Sequence, residues 1–204
     1  MMIGRAIEQI FIRCYTVIKL NIIFVGLMFC GGIVLGVGPA FSSITQLAFE
    51  EGFAYKEITW KKAFSLFKED FKRGNALFYL FAGAFILLAY NLFLVVQMKG
   101  IVFFVITFVL AFCLCVLFLG YFFALITNTR YDTTFKNILN LSIMAFFSNF
   151  FTLIKMILGF AVIAFLTYKY PALLLFGMEA IAIFFTLFIT RGVYEMINKK
   201  FELE

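Results

Sequence analysis

A chain of 204 residues that is 65% hydrophobic and only 14% charged is far from an ordinary soluble domain, which is about 45–50% apolar and about 25% charged. A water-soluble fold of this composition would leave too much apolar surface exposed. The net charge of +6, from 17 basic and 11 acidic residues gathered between apolar runs, fits anionic lipid headgroups better than nucleic acid.

The chemistry-bearing residue types are sparse. There is no histidine, and of the four cysteines Cys30, Cys113 and Cys115 fall inside apolar runs, with Cys14 just ahead of them. No CxxC motif or Cys/His zinc set can be assembled, and thiols buried in lipid are usually inert. Nor is there a nucleophile with a base, a carboxylate pair or a phosphate loop, so the chain reads as non-enzymatic and without a cofactor. The 32 phenylalanines read as lipid-facing residues.

In chain order, Ile3, Ile7, Ile10, Phe11, Cys14 and Ile18 recur at helical spacing, with Arg5, Glu8, Gln9, Arg13 and Thr16 between them. That pattern predicts an amphipathic helix over 1–19 lying along the interface. Its scattered charges do not match a cleavable signal. From Leu20 to Phe49 no charge occurs, and about 20 apolar residues suffice to cross a bilayer. Proline removes a helix donor and clashes with the preceding turn, so the 20–52 segment is expected to break at Gly38 and Pro39.

Over 56–73 the character changes. Trp60, Phe64, Phe67 and Phe71 step by helical intervals, and the other face carries Lys61, Lys62, Lys68, Glu69, Lys72 and Arg73. A basic helix with an aromatic stripe is expected at an interface of anionic lipid, or with its stripe packed on the protein's own spans. A helical hairpin follows over 75–126, turning at Gln97-Met98-Lys99-Gly100. A polar link and a mildly amphipathic helix fill 127–149. A second hairpin over 150–190 turns at Lys169-Tyr170-Pro171, and 191–204 forms a cytoplasmic tail. Interfacial helix followed by hairpin thus occurs twice, a weak internal repeat.

The fold class that results is all-α: a multi-pass transmembrane bundle in one domain, 1–204, with interfacial amphipathic helices. It has five spans, or six if the first segment is a short re-entrant or broken hairpin. With five, Arg5, Arg13, Lys19, Lys99 and Lys169 lie outside; with a re-entrant segment only Lys99 and Lys169 do, which the positive-inside rule favours. The C-terminus is cytoplasmic in both, in a cell membrane.

Charged and polar residues inside spans invite a functional reading. Lys155 can snorkel to the headgroups. Glu179 cannot, and is either protonated and hydrogen-bonded or faces a wet cavity. Asn21, Tyr90, Asn91, Asn128 and Asn149 read as interhelical hydrogen-bonding residues, while Glu179, Asn91 and the broken first segment are the lining of any solute path.

The ordered set of Leu20-Asn21 opening a span, Gly38-Pro39-Ala40, the run Trp60…Phe64…Phe67-Lys68…Phe71-Lys72 and a long hairpin resembles the YesL family of small bacterial integral membrane proteins. The likeness covers nearly the whole chain and is strongest from Leu20 to Asn75; beyond that it rests on hydropathy and the Arg130-Tyr131-Asp132 link. That family has no established biochemical activity, but its members are commonly encoded beside carbohydrate uptake genes of Gram-positive bacteria. The resemblance implies a non-enzymatic accessory role in oligosaccharide uptake, with carbohydrate ABC importer subunits as partners. Two alternatives stand beside it: a small-solute transporter or channel in its own right, and a structural or lipid-organising membrane protein. Gln46 to Gly52 shares a few offsets with the loop by which importer permeases engage their ATPase, a degenerate match read as coincidence. Oligomeric state cannot be read from the residues.

Overall fold

The computed structural model of the chain describes residues 2–201. Within them the regular structure is all helical: α1 Met2–Cys30, α2 Val37–Glu51, α3 Trp60–Glu69, α4 Phe71–Val96, α5 Ile101–Arg130, α6 Phe135–Ser148, α7 Phe150–Lys169, α8 Leu173–Phe176 and α9 Met178–Phe201. Five are long and apolar enough to cross a membrane: α1 over Ile7–Cys30, α4, α5, α7, and α9 over Met178–Lys200. The protein is an all-α multi-pass bundle. Its apolar side chains turn outward where a soluble protein would hide them, as Ile86, Leu87 and Phe93 on α4, Phe104, Phe108 and Phe112 on α5, and Leu158 and Phe165 on α7 all do. Lipid is the solvent that such a surface requires.

The described part of the amphipathic segment over 1–19 and the first span are one helix. Ile7, Phe11, Tyr15, Ile18, Ile22 and Phe29 line its outer face and Thr16, Leu20, Ile23, Phe24 and Leu27 its inner face, so the stripe of the first turns simply continues. The break also lies elsewhere than expected. It falls between Cys30 and Val37, where a turn and a short 3-10 stretch, Val34–Gly36, reverse the chain. Gly38 and Pro39 are buried in the first turn of α2, where a missing N–H costs nothing because no intrahelical acceptor is available to it. The reversal depends on glycine: a Cβ on Gly31 would lie 2.3 Å from the Gly36 Cα, and one on Gly36 would lie 2.2 Å from the Met28 carbonyl oxygen. At the tip Ile33 takes φ 63° and ψ −72° in a γ-turn closed by Val34 N donating to Gly32 O at 2.8 Å.

After the turn α2 runs back along α1. Thr16 and Lys19 of α1 reach the backbone carbonyls of Phe53 and Tyr55, just past the end of α2, and the Lys19 Nζ to Tyr55 O distance is 2.8 Å. At about 1.5 Å per residue α2 is about 22 Å long, short of the roughly 30 Å hydrocarbon core. It is packed by α1, α3, α4, α5 and α9, and Gly38, Pro39, Ala40, Ser42, Ser43, Ile44, Thr45, Leu47 and Ala48 are buried.

Other boundaries move for local reasons. The 56–73 segment is helical only from Trp60, because Thr59 caps it by accepting from Lys62 N, and it ends at Glu69; Asp70 is a one-residue corner into α4. Asn149 makes a similar corner between α6 and α7, capping α7 by accepting from Thr152 N at 3.2 Å. The order of short helix, one-residue corner and long hairpin therefore occurs twice, with α8 inserted in the second hairpin. The 191–204 stretch continues α9 as far as Phe201, and Val193, Tyr194 and Ile197 are core residues, so the described part of it is not a loose tail.

Where α2 crosses α4 the backbones touch: a Cβ on Gly38 would lie 2.6 Å from the Gly74 carbonyl oxygen. Gly38→Ala must push the two helices apart, at a cost of about 1–3 kcal/mol. Gly83→Ala, also on α4 but with nothing within 4 Å of the new Cβ, should instead stabilise by up to about 1 kcal/mol through helix propensity. Thermal melts of the two variants in one detergent should move in opposite directions.

Candidate functional site

Two polar stations hold the bundle together, and both involve α1 or α2. The first is Asn21, fully buried on α1. Its Nδ2 donates to Leu174 O in α8 at 3.2 Å, and its Oδ1 accepts from Ala180 N in the first turn of α9 at 3.1 Å. The N–H groups of a helix's first turn have no partner inside the helix, so Asn21 caps α9 from another helix while tying down α8. The same side chain interacts with the carboxyl of Glu179, whose Oε2 is buried without a hydrogen-bond partner.

Glu179 stands at the edge of a cavity of about 670 Å³ that is lined by α2, α4, α5, α7 and α9 and opens at Ile86 on the outer face of α4. Its walls are aromatic and aliphatic, with Phe78, Phe81, Phe118 and Phe160 among them, and the polar side chains on them are Tyr121 and Glu179. The Tyr121 hydroxyl is likewise buried and unpartnered.

The second station lies at the corner between α3 and α4. Asp70 Oδ2 accepts from Ser42 Oγ of α2 and from Asn128 Nδ2 of α5, the latter at 2.9 Å, and Asn128 Nδ2 also lies 3.0 Å from Ser42 Oγ. Three helices meet through one carboxylate oxygen. One turn on, Arg73 Nη2 donates to Tyr131 O at 3.3 Å and Nη1 faces Asp132 Oδ1 at 3.5 Å. Below it α5 and α9 are joined by Thr127 and Tyr194, whose hydroxyls are 2.7 Å apart, and by Tyr131 donating to Asn198 Oδ1. Burial pushes the Tyr131 hydroxyl above its ordinary range.

The expected site residues scatter. Asn21 and Glu179 come together, but Asn91 lies on the exposed face of α4 and bonds back to Leu87 O at 2.8 Å, away from that cavity. Lys155 is exposed on α7 and makes no ion pair with Glu179. On α3 the aromatic stripe turns toward the bundle: Phe67 is buried, Phe64 and Phe71 pack against the core, and ring centroids lie 6.2 Å apart for Phe64–Phe67 and 5.5 Å for Phe67–Phe71. Trp60 is 45% exposed, yet its indole covers Gly26 so closely that a Cβ there would lie 2.5 Å away. Lys61, Lys68 and Lys72 are exposed. Lys62 instead bridges back to Glu50, at 2.8 Å, and Glu51 at the end of α2; each partner favours the other's charge, so the Glu50 carboxyl is held below its ordinary range and the Lys62 ammonium above.

Ser42 and Asp70 were not legible as a pair. An acidic residue in a basic stretch was the one available signal, and nothing in spacing connects it to a serine on another helix. Among the described residues no group of histidine, cysteine and carboxylate side chains could hold a metal ion.

The fold and these stations define an integral membrane protein with a tied, mainly apolar interior. Residues 17–92, from the inner part of α1 to near the end of α4, match the model of a family described as a protein of unknown function, DUF624. No curated protein and no solved structure matches the chain.

Asn21→Leu should cost about 1–3 kcal/mol, because it strips partners from the Leu174 carbonyl and the Ala180 amide at once. Glu179→Gln keeps the size and hydrogen-bonding capacity and should melt close to wild type. Equal losses for the two variants would remove Asn21 from its capping role.

Asp70 yields a pH dependence. Burial raises its carboxyl above the ordinary aspartate range, opposed by Ser42, Asn128 and the Arg73 charge and helped by Glu69. The native protein therefore holds that proton more tightly than the unfolded chain, so this group's contribution falls as pH rises from the ordinary range through the raised value. Asp70→Asn lacks this component. The stability of wild type relative to Asp70→Asn, from detergent melts, should decline as pH rises from the ordinary aspartate range through the raised value.

Proposed function

We propose that this chain is a YesL-type accessory protein of oligosaccharide uptake in a bacterial cell membrane, non-enzymatic, and a scaffold for ABC importer subunits more than a conduit. The observation that carries the reading is the interior: the cavity beside Glu179 is walled by aromatic and aliphatic side chains, whereas a path for a hydrated sugar needs successive polar groups. Support also comes from the similarity of residues 17–92 to a family without assigned activity, and from an exposed basic row, Lys61, Lys68 and Lys72, on a helix whose other face is packed. Such a row suits anionic headgroups or an acidic patch on a partner.

The same reading puts the N-terminus, α3 and the C-terminus in the cytoplasm, with α1 and α2 as a hairpin that enters and returns. It keeps all basic residues but Lys99 and Lys169 inside, and it agrees with α2 ending level with Thr16 and Lys19. One observation favours transport instead: two unpartnered polar atoms, Glu179 Oε2 and the Tyr121 hydroxyl, belong to one cavity.

Deleting the gene should slow oligosaccharide uptake in the host, and the tagged chain should co-purify importer subunits. Liposomes holding the chain alone should accumulate no sugar; accumulation there would replace the accessory reading by the transporter. For topology, single cysteines at positions 5 and 62 of a cysteine-free background should both resist labelling from outside intact cells. Labelling at 5 alone would restore five simple spans.

A further inference from the structure

A second cleft, of about 850 Å³, opens between α1, the end of α2, the end of α5 and α9, and the accessory reading makes no use of it. Three guanidinium groups line it, those of Arg13, Arg130 and Arg191, against the single carboxylate of Glu195. Arg191 donates its Nε to Glu195 at 2.8 Å, which leaves its two terminal nitrogens to a ligand. Arg130 has no ion pair among the described residues, and its Nε is buried without an acceptor. Its guanidinium lies over Phe49 at 4.8 Å and over Tyr194 at 4.9 Å. Arg13 lies over Phe53 at 5.3 Å.

Stacking on aromatic faces fixes a guanidinium plane but leaves its N–H fork free, and that fork matches the oxygens of a phosphate. The rest of the wall is apolar and partly exposed, notably Phe49, Phe53 and Phe188, so an anion alone would leave it uncovered. A ligand that completes the cleft carries a phosphate on an apolar body. We propose that the cleft binds one anionic phospholipid, its phosphodiester between Arg130 and Arg191 and an acyl chain along Phe49, Phe53 and Phe188. This inference does not depend on the role in uptake.

Native mass spectrometry of the full chain in detergent, given equimolar phosphatidylglycerol and phosphatidylcholine of matched acyl chains, tests it. Wild type should retain phosphatidylglycerol preferentially, and Arg130→Gln should lower that preference about fivefold, the weight of one arginine near a lipid surface. Arg191→Gln, at an exposed position on α9, should lower it in the same direction, while Lys136→Gln on α6, with the same charge change, should not. Equal retention of both lipids by wild type would overturn the proposal. So would an unchanged preference in a well-folded Arg130→Gln and in Arg191→Gln. Displacement of the lipid by millimolar inorganic phosphate would also overturn it, marking the cleft as a site for the free anion.

Discussion

A helix too short to cross the hydrocarbon must have its polar groups and ends satisfied by protein, because lipid offers no hydrogen bonds. That constraint falls on α2, Val37–Glu51, and the arrangement of its neighbours follows from it. Ser43 and Thr45 turn their hydroxyls back to the carbonyls of Pro39 and Phe41, each at 2.7 Å. Ser42 points outward and reaches Asp70. The glycines at both close approaches, Gly31 against Gly36 and Gly38 against Gly74, let backbones come near enough to seal the helix without intervening side chains.

The polar stations then stitch the sheath around α2. Asn21 joins α1 to α8 and α9, the Ser42–Asp70–Asn128 group joins α2 to α5 at the corner of α3 and α4, and Thr127 with Tyr194 joins α5 to α9. Interhelical bonds of this kind contribute about 0.6–2 kcal/mol each in membrane proteins. Their larger effect is on specificity, since each fixes the rotation and register of two helices whose outer faces would accept any lipid contact. α4 and α5 pack on each other more than on any other helix.

Much of the architecture was legible in the sequence because hydropathy in a bilayer is nearly a direct readout of span position. The hairpins at Gln97–Gly100 and Lys169–Pro171 followed from it; helical spacing marked the stripe of α3 but left open whether it faces lipid or the bundle, and charge counting favoured the doubling back of the first segment without excluding a single crossing. The place of the break did not follow from hydropathy. Proline is the obvious breaker in the sequence, yet Pro39 sits in the first turn of α2, where its missing donor is harmless, and the paired Gly31-Gly32 with Gly36 carry the signal. The site was half legible: Asn21 and Glu179 were both singled out, but their meeting depends on α8 turning the chain ahead of α9. Ser42 with Asp70, and Arg130 over Phe49, are contacts between distant helices, and no local pattern encodes them.

Mass spectrometry after labelling with a lipid-dissolved carbene precursor, in vesicles, tests most directly whether α2 is sheathed by protein, since it uses the unmodified chain. The expected result is dense labelling of peptides from the outer faces of α4, α5 and α7, with residues 38–48 left nearly blank. Labelling of residues 38–48 at the density of α4 would contradict the account, because it would mean that lipid touches the helix around which the other contacts are arranged.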